Sequence, residues 1–301
     1  MTKLFEVSAD VDFPQGLPMV ALITGFSDAG ATVSQLSDHL FSELSHEKVI
    51  SFHNDELLDY RSRRPTLFFE KDHIQSYESP SLAIYLVSDE AQQQFLLLEG
   101  YEPDMKWEGF ALAMAEIVKS YAVSSFTWVH SIPFPIPHTR PAGVTVSGNR
   151  ADMIARFSEW KPQTQVPGNV THLLEFTLSK QDVSTAGFVL LVPHYLADNE
   201  VPSAAIKGLE LVSAATGLVL PSDELRNEAA AFAVKVEKQV EENQELLKLV
   251  QTLEQGYANG ANGMARSPIG KPSGEPPSVD ELANDLESYL SAMERNSDQS
   301  E

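Results

Sequence analysis

Apolar and polar residues follow one another near the start of the chain as expected for a buried strand and a covering helix. Residues 19–23 form a continuous apolar run, which predicts a strand buried on both faces of a parallel or mixed sheet. The run stops before Gly25. Beyond Gly30, apolar residues recur at every third or fourth position, as on the buried face of a helix. These positions are Val33, Leu36, Leu40, Phe41 and Leu44.

The same two patterns recur further along the chain. Short apolar or alternating runs predict strands at residues 48–52, 66–70, 81–87, 125–130 and 187–193. Helical spacing predicts helices at residues 107–122 and 203–217, the second closed by Gly217, which can adopt the left-handed cap conformation. Because strands alternate with helices, we expect an α/β fold of three layers, with helices on both faces of one sheet.

Residues 147–181 have no single clear pattern. We predict a helix at residues 151–160, a loop at residues 162–168, and a further short element through Leu173, Leu174 and Leu178.

The sequence predicts a core domain at residues 1–221, followed by a helical extension at residues 222–301. Ser222 is placed to cap a long helix that runs to residue 255, with acidic residues at its positive end. Residues 256–277 are rich in Gly, Asn, Ser and Pro and predict a flexible linker.

Residues 278–301 predict an acidic amphipathic helix and tail. Its apolar face needs a cover, which could be the protein's own body, an oligomer partner or a groove on another protein. The face consists of Val279, Leu282, Leu286, Tyr289, Leu290 and Met293.

Composition narrows the classes of partner and compartment. The chain has 43 acidic and 21 basic residues and a net charge of -22, so neither nucleic acid nor an anionic membrane is expected to bind it. The absence of cysteine excludes disulfides, thiolate metal sites and thiol nucleophiles. No apolar run has the length of a membrane span and the N-terminus has no signal-peptide pattern, so we expect a cytoplasmic protein.

One basic cluster interrupts this acidic chain. Arg61-Ser62-Arg63-Arg64 lies immediately before Pro65 and a predicted strand. It indicates either a loop whose arginines are solvated or paired within the chain, or a contact for a phosphate or an acidic partner.

The turn Gly25-Phe26-Ser27-Asp28-Ala29-Gly30 occupies the place where open α/β sheets commonly bind ligands, between a strand end and a helix start. Its glycine spacing matches neither the dinucleotide fingerprint nor the phosphate loop. Asp28 would also hold a negative charge where an anion would bind. We therefore predict a structural turn with Asp28 or Ser27 capping the helix, and keep Gly25, Phe26, Asp28 and Gly30 as candidate ligand or interface residues.

A second candidate is the proline-rich stretch that follows the strand at residues 125–130. Four prolines between Pro133 and Pro141 predict a stiff, projecting loop. His130, His138 and Arg140 could join Asp28 in a polar site for acid–base work or anion binding. Alternatively, they hydrogen-bond within the loop, which leaves Pro133, Pro135, His138 and Arg140 as interface candidates.

A third candidate lies at residues 99–107. Glu102 and Asp104 could contribute to a metal or acid–base site, although Asp104 is equally well placed to cap the following helix while Trp107 packs. The chain lacks the paired histidine and glutamate spacings of metal sites and the Gly-x-Ser-x-Gly nucleophile motif. We expect no cofactor and no metal.

At these three stretches the sequence resembles the proteasome-assembly-chaperone family, in the group named for the second such chaperone, and particularly its actinobacterial branch. The matching stretches are residues 22–30, 98–110 and 130–141. The resemblance implies a phosphorylase/hydrolase-like α/β fold in an oligomeric, protein-binding module without a cofactor. The final residues, Asp298-Gln299-Ser300-Glu301, differ from the hydrophobic-Tyr-any-residue tail with which such chaperones can dock.

Two functions therefore remain. The first is a non-enzymatic binding or assembly factor that contacts a protein partner through the helix at residues 278–293 or the loop around Pro133. Such a factor is expected to be a homo-oligomer, for example a trimer. The second is a phosphorylase- or hydrolase-like enzyme in which Asp28, His130, His138 and Arg140 converge on one cavity.

Overall fold

The computed structural model describes residues 3–9, 14–161 and 163–259. Within them, eight strands form one mixed sheet and two form a separate hairpin. The strands are β1 (Phe5–Val7), β2 (Pro18–Thr24), β3 (His46–Phe52), β4 (Thr66–Glu70), β5 (His73–Glu78), β6 (Leu82–Ser88), β7 (Gln94–Tyr101), β8 (Ser125–Phe134), β9 (Gly143–Gly148) and β10 (Ser184–Pro193). The helices are α1 (Thr32–Glu43), α2 (Asn54–Leu57), α3 (Trp107–Ser120), α4 (Ala151–Phe157), α5 (Val170–Ser179), α6 (Pro202–Thr216), α7 (Asp223–Glu242) and α8 (Gln244–Asn259).

The large sheet has the strand order β1-β3-β6-β7-β2-β8-β10-β9. Its four central strands, β7, β2, β8 and β10, are parallel, and the flanking pairs are antiparallel. All four parallel strands therefore end at the same edge, which we call the carboxyl edge. Strand β6 starts at this edge, because Leu82 pairs with Gly100 near the end of β7.

The predicted three-layer arrangement is confirmed by the way β2 divides its side chains. Met19 and Ala21 belong to the cluster that contains the buried residues of α3 and α5. Val20 and Leu22 belong to the cluster that contains those of α1 and α6. Since successive side chains of a strand point to opposite faces, the sheet is covered by helices on both sides.

Strand β8 is longer than predicted. It pairs with β10 through Phe134, whereas its regular pairing with β2 stops at Trp128. Pro133 lies beyond that point, so no neighbouring strand on the β2 side requires the N–H group that proline lacks. A proline is tolerated in such an edge position, which explains why the strand continues into the predicted loop.

The strand predicted at residues 66–70 does not join the large sheet. It is β4, which pairs only with β5 in a two-stranded hairpin. The short apolar run Leu67-Phe68-Phe69 indicates a strand but carries no information on which sheet it joins. Strands β1, β5, β7 and β9 were not predicted.

The prediction of one helix to residue 255 is wrong, because α7 ends at Glu242 and α8 begins at Gln244. Asn243 has an extended backbone, and its side-chain oxygen accepts the N–H groups of Glu245 and Leu246, as an N-cap residue does. Ser222 precedes α7 as predicted, but its hydroxyl accepts a hydrogen bond from Arg226 instead of capping the helix.

Helices α7 and α8 pack at the carboxyl edge. Val236, Val240 and Val250 form a small buried cluster with Ala29 and Val192, which lie beside the ends of β2 and β10. The first four residues predicted as linker belong to α8. The rest of the linker and the helix predicted from residue 278 lie outside the described residues. Among the helices described, none has both the length and the apolar character needed to cross a bilayer.

Candidate functional site

The turn between β2 and α1 needs glycine at both of its ends. Gly25 has φ of 135°, and a Cβ there would lie 3.0 Å from Glu102 Cβ and 3.0 Å from Arg63 Nη2. Gly30 has φ of 71°, and a Cβ there would lie 3.0 Å from Val201 Cβ. Both positions combine a left-handed backbone with close approach of a neighbour, so a side chain at either would cause strain.

Asp28 caps α1, as one of the two sequence alternatives proposed. Its Oδ1 accepts the N–H of Val33 at 2.8 Å, and its Oδ2 accepts the N–H of Ser34 at 3.0 Å. The hydroxyl of Ser131 on β8 also donates to Oδ1, at 3.0 Å. The carboxylate therefore satisfies the free N–H groups of the helix and joins the turn to β8.

His130 lies under the same turn and is only 4% exposed. Its ring stacks on Phe26 with a centroid distance of 5.5 Å, and the ring of His172 lies edge-on at 6.5 Å. Nε2 of His130 is buried without a hydrogen-bond partner. Burial, helped by His172 and opposed by Asp28, lowers the pKa of His130 to about 4, so the ring is neutral at pH 7.

This low pKa predicts a pH-dependent loss of stability. An unfolded histidine binds a proton near pH 6.5, whereas folded His130 resists protonation until about pH 4. The unfolded state therefore binds more protons within this window, and stability falls as the pH decreases through it. From pH 7.5 to pH 5, we expect wild type to lose about 2 kcal/mol relative to His130→Gln. Urea unfolding of both proteins measures this difference, and parallel pH profiles would contradict it.

Glu102 and Asp104 follow β7 at the carboxyl edge, next to Gly25. Glu102 Oε1 accepts the N–H of Val170 at the start of α5, at 2.7 Å, and burial raises the pKa of this carboxyl. Asp104 does not cap α3, contrary to one prediction. Its carboxylate pairs with Arg63 at 3.0 Å and accepts the N–H of Asp59 at 2.8 Å.

Trp107, the remaining candidate of this stretch, begins α3. Its indole N–H donates to the carbonyl of Pro103, and the side chain packs against the core cluster of α3 and α5. Trp107 thus fixes the chain between β7 and α3.

His138 and Arg140 contact a different part of the molecule. Tyr195 Oη accepts the N–H of His138 at 2.7 Å and lies 2.6 Å from its Nδ1. Arg140 donates through Nη2 to Glu254 on α8, at 2.7 Å. Its guanidinium lies over the ring of Tyr257, 5.4 Å from the centroid. These contacts fasten the loop after β8 to the C-terminal helices.

A cavity of about 150 Å³ lies between this loop and α7. His138 and Arg140 contribute to its lining together with apolar residues of α7 such as Phe232 and Val236. Neither Asp28 nor His130 is part of that lining. Pro133, near the end of β8, and Pro135, on the loop, are exposed and lie outside the cavity.

The structure thus separates the four residues of the proposed enzyme site. Asp28 and His130 lie together beneath the glycine turn, whereas His138 and Arg140 face α7 and α8. Asp28, His138 and Arg140 bind helix N–H groups, a tyrosine and a glutamate respectively, whereas His130 stacks on Phe26 and its Nε2 has no hydrogen-bond partner among the described residues. In the described part of the chain, no three His, Asp or Glu residues are grouped so as to hold a metal ion.

The hairpin of β4 and β5 is an apolar surface that the sequence patterns did not identify as a site. Cross-strand partners Leu67 and Tyr77 are 51% and 59% exposed, and partners Phe69 and Ile74 are 64% and 55% exposed. Partners across a hairpin project to the same side. We call this four-residue surface the hairpin face. Its apolar residues were visible in the sequence, but their exposure depends on the separation of the hairpin from the large sheet.

The fold, the glycine turn and the proline-rich loop match a known family. The model of the PAC2 family matches residues 22–240. The chain belongs to the PAC2 family.

Two solved structures resemble it throughout most of its length. A Mycobacterium tuberculosis protein of unknown function is 34% identical, with a TM-score of 0.81 over 88% of this chain and 92% of that chain. A Corynebacterium glutamicum protein of unknown function is 31% identical, with a TM-score of 0.82 over 86% of this chain and 98% of that chain.

More distant structures share the fold. A proteasome-assembly chaperone homologue from Mycobacterium tuberculosis is 21% identical, with a TM-score of 0.71 over 78% of this chain and 100% of that chain. A search of curated proteins gives no match.

Proposed function

We propose that this protein is a non-enzymatic binding factor that acts on protein partners in the manner of an assembly chaperone, in the cytoplasm. The support from relatives is membership of the PAC2 family and a fold shared with a proteasome-assembly chaperone homologue and with PbaB, an archaeal proteasome activator from Pyrococcus furiosus. The identity of the client is outside this proposal.

The observation that carries the proposal is the hairpin face. A two-stranded hairpin is marginally stable alone, and the exposure of four apolar side chains on one side, with Phe68 exposed on the other, costs free energy in water. Contiguous apolar patches on a protein surface commonly mark sites of protein contact. The hairpin face therefore favours a protein-binding function.

The arrangement of the polar candidates supports the non-enzymatic part of the proposal. The carboxylate oxygens of Asp28 accept hydrogen bonds from the first N–H groups of α1 and from the hydroxyl of Ser131. His138 contacts Tyr195, and Arg140 holds the loop onto α8. Residues in these roles stabilise the carboxyl edge and leave few donors and acceptors for a substrate.

The proposal includes self-association. The family resemblance implies a homo-oligomer, and we expect a trimer. Light scattering of the purified protein should give a mass of about three chains, because surfaces with exposed apolar residues favour association. A mass of one chain over the micromolar range would contradict this part.

The experiment that tests the function is affinity purification from the native organism. We expect wild type to recover specific partners and the double variant Phe69→Ser, Tyr77→Ser to lose them by about tenfold or more, since each substitution removes a large apolar contact. The matched control is Leu112→Ser, Phe176→Ser, which removes two equally exposed apolar side chains from α3 and α5. Full recovery with the hairpin variant would refute the proposed contact.

A further inference from the structure

The hairpin is anchored at the carboxyl edge of the large sheet. Asn54 donates to Ser79 Oγ at 2.8 Å and to the carbonyl of Pro80 at 2.6 Å, just beyond the end of β5. On the other side, Arg63 pairs with Asp104 at 3.0 Å, just before the start of β4. These contacts fix the base of the hairpin but leave the hairpin face uncovered by the described residues.

The segment just before β4 is basic in an otherwise acidic chain. Residues 61–64 contain three arginines and no acidic residue, although the whole chain has 21 basic and 43 acidic residues. Arg63 is held by Asp104. Arg61 is exposed and lies 3.9 Å from Asp59, and Arg64 is exposed with no ion-pair partner among the described residues. An acidic, apolar ligand would therefore match both the charge and the hydrophobicity of this surface.

The segment of residues 278–301 has those two properties. Seven of its residues are acidic and one is basic. Its apolar residues recur at helical spacing between Val279 and Met293, which defines one continuous apolar stripe. The stripe needs a cover, because apolar side chains exposed to water cost free energy.

The length of the chain between the two surfaces permits contact within one molecule. Tyr257, near the end of α8, lies beneath Arg140 of the loop that follows β8. The base of the hairpin lies beside β6 and β7, two to three strands away in the sheet order, which corresponds to about 10–15 Å at the usual spacing of strands. Residues 260–277 could bridge it, because a coil of that length spans about 23 Å on average.

We propose that residues 278–293 bind the hairpin face of the same chain, with their acidic residues next to Arg61 and Arg64. This proposal rests on the proposed function, because the segment then competes with the protein partner for one surface. Partner binding requires release of the segment, and the segment protects the hairpin face from nonspecific contacts until a partner arrives.

Photocrosslinking in the full-length protein tests this contact. p-Benzoylphenylalanine is introduced at Phe69, and crosslinked peptides from the single-chain band are identified by mass spectrometry. We expect crosslinks to residues 278–301. They should decrease by about tenfold or more in Leu286→Asp, Leu290→Asp, which interrupts the apolar stripe. They should also decrease at high salt, because charge attraction contributes.

The matched control is Asn284→Asp, Ser291→Asp, which adds the same charge to the opposite side of the predicted helix and should preserve the crosslink. Crosslinks to another segment or another chain, or no effect of Leu286→Asp, Leu290→Asp, would overturn the proposal. If no crosslink forms, hydrogen exchange decides: equal exchange rates at residues 66–78 in wild type and in this variant would also overturn it.

Partner recovery separates this proposal from the proposed function. We expect Leu286→Asp, Leu290→Asp to recover severalfold more partner than wild type does. If Phe69→Ser, Tyr77→Ser abolishes partner recovery but no contact with residues 278–301 is found, the proposed function stands and the intramolecular contact fails. If the contact is found and the hairpin variant retains its partners, the proposed function fails.

Discussion

Replacement of Trp128 by alanine is expected to lower the free energy of unfolding by about 4 kcal/mol. Trp128 is fully buried in the middle of β8, and the ring of His172 packs edge-on against it with a centroid distance of 4.8 Å. Gly187 on β10 is its strand partner, and even a Cβ at Gly187 would lie 2.3 Å from Trp128 Cε2. The truncation leaves a large cavity in a tightly packed part of the sheet.

The effect of this substitution includes a polar component. The indole N–H of Trp128 donates to Glu175 Oε2 at 2.8 Å, and burial raises the pKa of this carboxyl. Without Trp128, Glu175 keeps the hydrogen bond from Ser147 but loses one of its two donors. Urea unfolding measures the loss. The control Trp160→Ala, at a partly exposed position, should cost about 1–2 kcal/mol. An equal loss in the two variants would contradict this account of the core.

Replacement of Asp28 by alanine is expected to cost about 3 kcal/mol, because it removes the cap of α1 and the connection to Ser131 together. Asp28→Asn keeps one acceptor oxygen and should lose less than half as much. Ser131→Ala removes only one of the hydrogen bonds and should cost about 1 kcal/mol. Thermal and urea unfolding of the three variants measure these differences.

Partner binding distinguishes this interpretation of Asp28 from a catalytic one. If Asp28 stabilises the turn, Asp28→Asn should recover partners at temperatures where it remains folded. A variant that keeps its stability and loses its function would show that the carboxylate acts on a ligand, and would contradict the structural role.

The strand–turn–helix unit could be predicted because its signals are local. The apolar run before Gly25 predicts a buried strand, and Gly30 and Asp28 carry the turn and the cap within a few residues. Gly217 likewise ends α6 with φ of 80°, as its position predicts. Short-range hydrogen bonds and backbone preferences decide all of these features.

The parts that could not be predicted depend on contacts between distant residues. Asp104 has a suitable position to cap α3, but Arg63 competes successfully for its carboxylate from 41 positions earlier in the chain. His130 and His138 are close in sequence, yet β8 continues to Phe134 and carries them to different surroundings. The break at Asn243 had a local signal, an N-cap residue followed by Glu245 in the first turn, which the helical spacing on both sides obscured.

The hairpin face, the proposed binding surface, could not be predicted from the sequence either. The apolar run of β4 is typical of a buried strand, and only the three-dimensional arrangement shows that Phe69 and Tyr77 stay exposed. A residue pattern indicates which side chains could be buried together. A binding surface, in contrast, consists of apolar side chains that stay exposed in the folded chain, and the pattern alone does not identify them.

The most direct test of this account is hydrogen exchange of the protein alone and in complex with a partner recovered by affinity purification. We expect binding to change exchange most strongly at residues 66–78, the hairpin of β4 and β5, with little change at the glycine turn around Asp28. Protection confined to the turn or to the loop around His138, with the hairpin unaffected, would contradict it.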